Sequence, residues 1–187
     1  AAAQRIAAGA YGYAGQVCIS VQHAWVHQDA AVEFEEHLME ATENIPRGDP
    51  ANEATVCGPL IHAAAADRVS EWISEAEALG ATILAGGSRV ANLIEPTLVS
   101  NVPEGARLAT DEVFGPVLTL ASFGNAQQAW DRVNHSAFGL QTGVFTDSIK
   151  LAEDAFRHLQ VGSVIVGDYP TLRFDNMPYG GVKNSGF

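Results

Sequence analysis

From Phe123 onward the chain alternates two hydrophobic periods, and this alternation limits the possible folds more than any other feature of the sequence. A helical pattern runs from Asn125 to about His135, an apolar run LQTGVFT follows at 140–146, then comes a second helix expected to be capped by Asp147, and VGSVIV closes the series at 161–166. Helices that alternate with strands connect parallel strands and cover both faces of the sheet they build. The expected fold class is α/β: a three-layer domain with a mostly parallel sheet flanked by helices.

The first two thirds of the chain read in the same terms. Ala31, Phe34, Leu38, Ala41 and Ile45 recur at steps of three and four, which marks an amphipathic helix with Asp29 as its expected N-cap and Pro46 and Gly48 as its end. Ala65, Val69, Trp72, Ala76 and Leu79 mark another, with Gly80 supplying the residue that tolerates a left-handed C-terminal turn. HAWVH (23–27), ATIL (81–84), LIEPTLVS (93–100) and PVLTLASF (116–123) read as strands. Pro96 removes a ladder donor and pushes its strand toward an edge or a bulge. The Gly- and Pro-rich stretch from Tyr169 to Phe187 reads as a long surface loop, and loops of that length in compact domains are commonly functional.

A chain of 187 residues suits one domain with a single core. Ten basic against 22 acidic side chains give a net charge of -12, which repels phosphate backbones and anionic lipid and argues against nucleic-acid and membrane partners. An anionic small substrate would then need a local positive group. No window approaches the eighteen or so consecutive apolar residues of a membrane span. The two cysteines are too few for a disulfide framework, and no charged, apolar leader opens the sequence, so a cytoplasmic setting is expected.

Gly9, Gly12 and Gly15 follow a helical pattern rather than a strand, so their spacing does not make a dinucleotide-binding turn. His23 and His27 lie in a strand-like run, where four residues span roughly 13 Å; they cannot share an ion, and no metal is expected. Cys57, in TVCGPL, reads as a buried thiol. Cys18, in GAYGYAGQVCISVQH, follows small residues that let the backbone approach a ligand closely and leave its amide free to donate. Both properties suit a thiol that attacks a carbonyl, although composition alone would favour the commoner fate of a small buried hydrophobe.

Five motifs then line up in order: GQVC ending at Cys18, CGPLI (57–61), EVFGP (112–116), NHSAFGL (134–140) with GVFT (143–146), and MPYGGVKNSGF (177–187). With them the chain resembles the catalytic domain of the aldehyde dehydrogenase family over its entire length. The resemblance implies that Cys18 attacks an aldehyde to form a thiohemiacetal, that hydride passes to NAD or NADP, and that the resulting thioester is hydrolysed to a carboxylic acid. It implies that Glu112 holds the cofactor ribose and that Phe114 packs near it. Asn134, Gly139 and Leu140 match a pattern read as structural. Similar family members place aromatic residues in the substrate tunnel at the positions of Arg173 and Tyr179, so Arg173 is a departure. Its guanidinium would bind a carboxylate or phosphate on the aldehyde, or it is a solvated loop arginine; the two readings stand level. His23 stands where an arginine is common.

A free cysteine is only a few per cent thiolate at neutral pH, and no residue in the motifs identifies the group that activates Cys18. Relative to the family the chain is expected to be residues 1–187 of a catalytic domain truncated at both ends. The nicotinamide-binding domain, the glutamate base and the amide of the oxyanion hole would lie upstream. The isolated chain is accordingly expected not to oxidise aldehydes, and the full-length enzyme to be a homo-oligomer. Two other readings are a cofactor-independent thiol acyltransferase or hydrolase, and a non-catalytic binding or assembly module.

Overall fold

A computed structural model describes residues 1–186 of the chain. In chain order the elements are α1 (Ala2–Tyr11), β1 (His23–His27), α2 (Ala31–Glu43), α3 (Ala63–Ala78), β2 (Thr82–Ala85), β3 (Arg89–Val90), β4 (Leu93–Ile94), β5 (Thr97–Ser100), α4 (Arg107–Thr110), β6 (Val117–Phe123), α5 (Ala126–His135), β7 (Phe138–Gly139), β8 (Gln141–Val144), α6 (Ile149–His158), β9 (Ser163–Val166) and β10 (Val182–Lys183). The main sheet has the order β1-β6-β5-β2. β1 and β5 run parallel to β6, with His23 opposite Thr119 and Thr97 opposite Val117, while β2 joins antiparallel. β8 and β9 form a separate parallel pair.

Alternation along the buried strands explains the three layers. On β5 and β6, Val99 and Val117 pack with Val69, Ile73 and Ala76 of α3. Leu98 and Leu118 point to the other face and pack with Ala7 and Ala10 of α1 and Leu38 of α2. Each of these leucines is fully buried, which stabilises the fold by roughly 2 kcal/mol apiece. α5 and α6 pack through Trp130, Val133 and Ala155 against Trp25, Val144 and Val164. No described helix is long and apolar enough to cross a membrane.

Three local expectations are corrected. Asp29 does not cap α2: a short 3-10 turn, Gln28–Ala30, intervenes, and the His27 ring accepts from the Asp29 amide instead. Ser148, not Asp147, caps α6 by accepting from Leu151 N. The run 93–100 is not one strand near an edge; Glu95 and Pro96 divide it into β4, paired with β3, and β5, which lies between two neighbours. Pro96 ends one strand and precedes the next, so its missing donor falls outside both ladders.

The C-terminal stretch is more than a loop. β10 pairs antiparallel with β7, and the Lys183 ammonium donates to the carbonyls of Asn134 and Ser136 at 2.8 and 3.0 Å, at the C-terminal end of α5. Asn134 itself donates to His158 O and accepts from Gln160 N, both at 2.7 Å, which ties the ends of α5 and α6 together. Phe187 lies outside the described residues. Near the other end of this stretch Asp168 pairs with Arg5 of α1, whose guanidinium also lies over the Tyr169 ring. These anchors fix both ends of the segment that carries Arg173 and Tyr179.

Candidate active site

The turn after α1 is built from strained backbone. Tyr11, fully buried, ends the helix and donates to Thr97 O at 3.2 Å. Tyr13, Ala14 and Gly15 then take φ of 53, 56 and 67°, three successive left-handed residues, and a non-glycine residue there costs about 1–3 kcal/mol and persists only where its surroundings enforce it. The surroundings do so. The Gln16 side chain accepts from Ile61 N at 2.9 Å and donates to Tyr13 O at 3.3 Å, and Ser20 Oγ donates to Ala10 O at 3.1 Å. Cys18 is thereby held exposed in the turn. Its N–H meets no acceptor among the described residues.

The C-terminal segment closes over this turn. Thr171 Oγ1 donates to Ile19 O at 2.7 Å, and the Tyr179 hydroxyl stands 3.1 Å from Cys18 Sγ. The Arg173 guanidinium lies 4.9 Å from the centre of the Tyr179 ring, and its Nη1 donates to the carbonyls of Phe174 and Met177. The hydrogen bond to Cys18, then burial and the sulfur's charge, push the Tyr179 hydroxyl up to about 12; Arg173 acts weakly in the opposite direction. Tyr179 is therefore protonated at neutral pH and available as a donor.

The second cluster lies on the loop before β6. Gln22 clamps it from both sides, its Nε2 donating to Asp111 O at 2.6 Å and its Oε1 accepting from Val113 N at 3.0 Å. Phe114, at φ 44°, is turned out with 41 % of its surface exposed. It lines an open groove of about 670 Å³ with Tyr13, Gln16, Ile61, His62 and Arg68. Glu112 is exposed two residues earlier, and its carboxylate meets no donor among the described residues. Gln16 belongs to both the cysteine turn and this groove, so one side chain connects the two clusters. An apolar, open groove with an exposed aromatic and a free carboxylate on the same loop is chemically suited to a ribose bearing a flat heterocycle.

Sequence reasoning missed Gln16, Gln22 and Thr171. The available signal was a pair of long amides flanking the cysteine turn, each able to satisfy two backbone groups at once. Cys57, by contrast, is fully buried, and burial pushes its thiol up to about 11, against any role as a nucleophile.

His23 is a structural group. Its Nδ1 is 2.7 Å from Thr119 Oγ1 across the β1–β6 ladder, the ring stacks on Trp25, and burial lowers its pKa to about 4 from an ordinary 6.5. The unfolded chain takes up a proton below about pH 6.5 that the folded chain refuses until about pH 4. This residue therefore costs stability progressively as pH falls through that window, by about 3 kcal/mol in total. Urea titrations at pH 7 and pH 4.5 check this: His23→Gln is expected to lose less stability between the two than the parent. Equal losses would contradict the assignment.

The match to known proteins covers the same ground. The sequence model of the aldehyde dehydrogenase family matches residues 1–187. A 3-sulfolactaldehyde dehydrogenase from Priestia aryabhattai is 42% identical over 185 residues, which is 99% of this chain and 39% of that protein. Among solved structures, aldehyde dehydrogenase 21 from Physcomitrella patens, in complex with the reaction product succinate, superposes with a TM-score of 0.97 at 39% identity, over 99% of this chain and 38% of that one. Glyceraldehyde-3-phosphate dehydrogenase from Methanocaldococcus jannaschii, complexed with NADP, gives 0.94 at 34% identity, over 100% and 40%. The chain thus spans about two fifths of the length of the relatives it matches.

Proposed function

The chain belongs to the aldehyde dehydrogenase family, and we propose that it is the thiol-bearing catalytic domain of an enzyme that oxidises a small anionic aldehyde to a carboxylic acid with NAD(P). The observation that carries this reading is the exposed Cys18 on a strained, pinned turn beside an outward-facing Phe114 groove. The Cys18 sulfur attacks the aldehyde carbon, and the free Cys18 N–H donates to the oxygen on which charge develops. A nicotinamide cofactor, when bound, would supply the hydride acceptor that oxidation of the sulfur adduct to a thioester requires. Glu112 would accept from the ribose hydroxyls of that cofactor, and Phe114 would pack against the ribose. Water then releases the acid and returns the thiol.

Arg173 supports an anionic substrate. Its Nε and Nη2 groups meet no acceptor among the described residues, and it is held next to the tyrosine that touches the nucleophile. Two of the proteins most similar to this chain fit the same chemistry: one is named for a sulfonated aldehyde, and the other holds succinate, a dicarboxylate, as its product. Family membership also supports a homo-oligomeric full-length protein.

The test uses the full-length protein with both cofactors, anionic and neutral aldehydes, and the appearance of reduced cofactor as readout. Arg173→Leu is expected to lower kcat/KM for the anionic aldehyde relative to the neutral one about tenfold, mostly through KM. An unchanged anionic-over-neutral preference would sink the anionic-substrate reading.

A further inference from the structure

The motifs leave open which group activates Cys18, and the geometry points to Tyr179: we propose that its hydroxyl is a hydrogen-bond donor to the Cys18 thiolate, with Arg173 as the residue that positions it. The inference rests on reading Cys18 as the nucleophile. It assigns Tyr179 a role on the reacting sulfur in addition to lining the substrate path.

Three observations support this assignment, and once the sulfur has lost its proton only the hydroxyl can donate. The Tyr179 oxygen lies 3.1 Å from Cys18 Sγ, close for a sulfur partner. The ring is supported on one face by the Arg173 guanidinium at 4.9 Å, and that guanidinium is in turn held by the carbonyls of Phe174 and Met177. The hydroxyl keeps its proton far above neutral pH, so Tyr179 cannot serve as the base that removes the thiol proton. The proton leaves the exposed sulfur for bulk water, and the tyrosine O–H turns onto the sulfur left behind. No electrons are exchanged and the phenol remains neutral throughout. A charge-assisted O–H···S⁻ bond favours the thiolate, and it also makes that thiolate a weaker nucleophile, because nucleophilicity falls as the charge is stabilised.

These opposing effects give a signature that a merely structural role would not produce. A factor of about ten is a modest value for a hydrogen bond to a charged group. About half of it on a logarithmic scale is returned as lost nucleophilicity. Compared with the parent, Tyr179→Phe should react with iodoacetamide about threefold more slowly near neutral pH and about threefold faster on the alkaline plateau. The two pH–rate profiles therefore cross.

The experiment follows alkylation of the Cys18 peptide by mass spectrometry across pH in the full-length protein, with the buried Cys57 as an internal gauge of folding. If Tyr179→Phe exposes Cys57, 3-fluorotyrosine at position 179 replaces it in the test; as a stronger donor it should move both arms of the profile in the opposite sense. Crossing profiles support the inference. Superimposed profiles, or profiles displaced in the same direction at every pH, overturn it. Neither aldehyde nor cofactor enters this measurement, so its failure is distinct from a failure to form reduced cofactor, which would count against the dehydrogenase reading.

Discussion

Replacing Cys18 with alanine is expected to lower aldehyde oxidation by the full-length protein by roughly three orders of magnitude or more, since the covalent route is lost rather than weakened. Within residues 1–187 the other thiol cannot take over, because Cys57 is fully buried and its ionisation is pushed up to about 11. The fold should survive, because the Cys18 side chain is exposed and its one side-chain hydrogen-bond partner among the described residues is Tyr179. The relevant comparison is kcat at saturating cofactor, together with cofactor affinity measured separately. A large loss of kcat with unchanged affinity is expected. Activity within tenfold of the parent would remove Cys18 from the chemistry.

The second large effect concerns Gly15. Its φ of 67° is strained for any L side chain, and a Cβ there would stand 2.1 Å from the Gly115 carbonyl oxygen and 2.6 Å from its carbon. Neither backbone can yield without moving a site loop: one leads to Cys18 and the other carries Phe114. Gly15→Ala is therefore expected to destabilise the chain by about 3 kcal/mol or more, the range of strain and overpacking at a tight backbone contact. In the full-length protein it should also raise KM for the cofactor. Gly12→Ala is the control, since φ is -55° and nothing lies within 4 Å of its added carbon. Denaturant midpoints of the two variants decide the matter, and equal midpoints would show that the turn tolerates displacement.

Much of the fold was legible because burial enforces periodicity. Val99 and Val117 face one layer and Leu98 and Leu118 the other, so β5 and β6 appear in the sequence as continuous apolar runs. The caps were less legible. Asp29 and Ser148 each sit near a helix start, and only the backbone path decides which side chain reaches an amide. Pro96 was legible only in part: β5 is internal rather than at an edge, but its pairing with β2 shifts register between Ile83 and Ala85, beside Leu98, while Pro96 itself falls between two ladders.

The site divides in the same way. Cys18 stood out because of its small, flexible neighbours, and the order of the five motifs named a family that residues 1–187 match. What the sequence could not convey was contact over long separation. Tyr179 reaches the sulfur across 161 positions, and Gln22 holds a loop some 90 residues away. Neither pairing leaves a local trace. Arg173 shows the limit most clearly: read as either a substrate ligand or a solvated side chain, it is placed over Tyr179, which gives it a structural task as well.

Cys18 is proposed to carry the substrate during oxidation. Full-length protein mixed with an anionic aldehyde and NAD(P), quenched in acid during turnover and digested, should show the mass of the acyl group on the peptide containing Cys18, and only when both aldehyde and cofactor are present. Reduced cofactor formed with that peptide unmodified, or with the acyl group on another residue, would contradict the account.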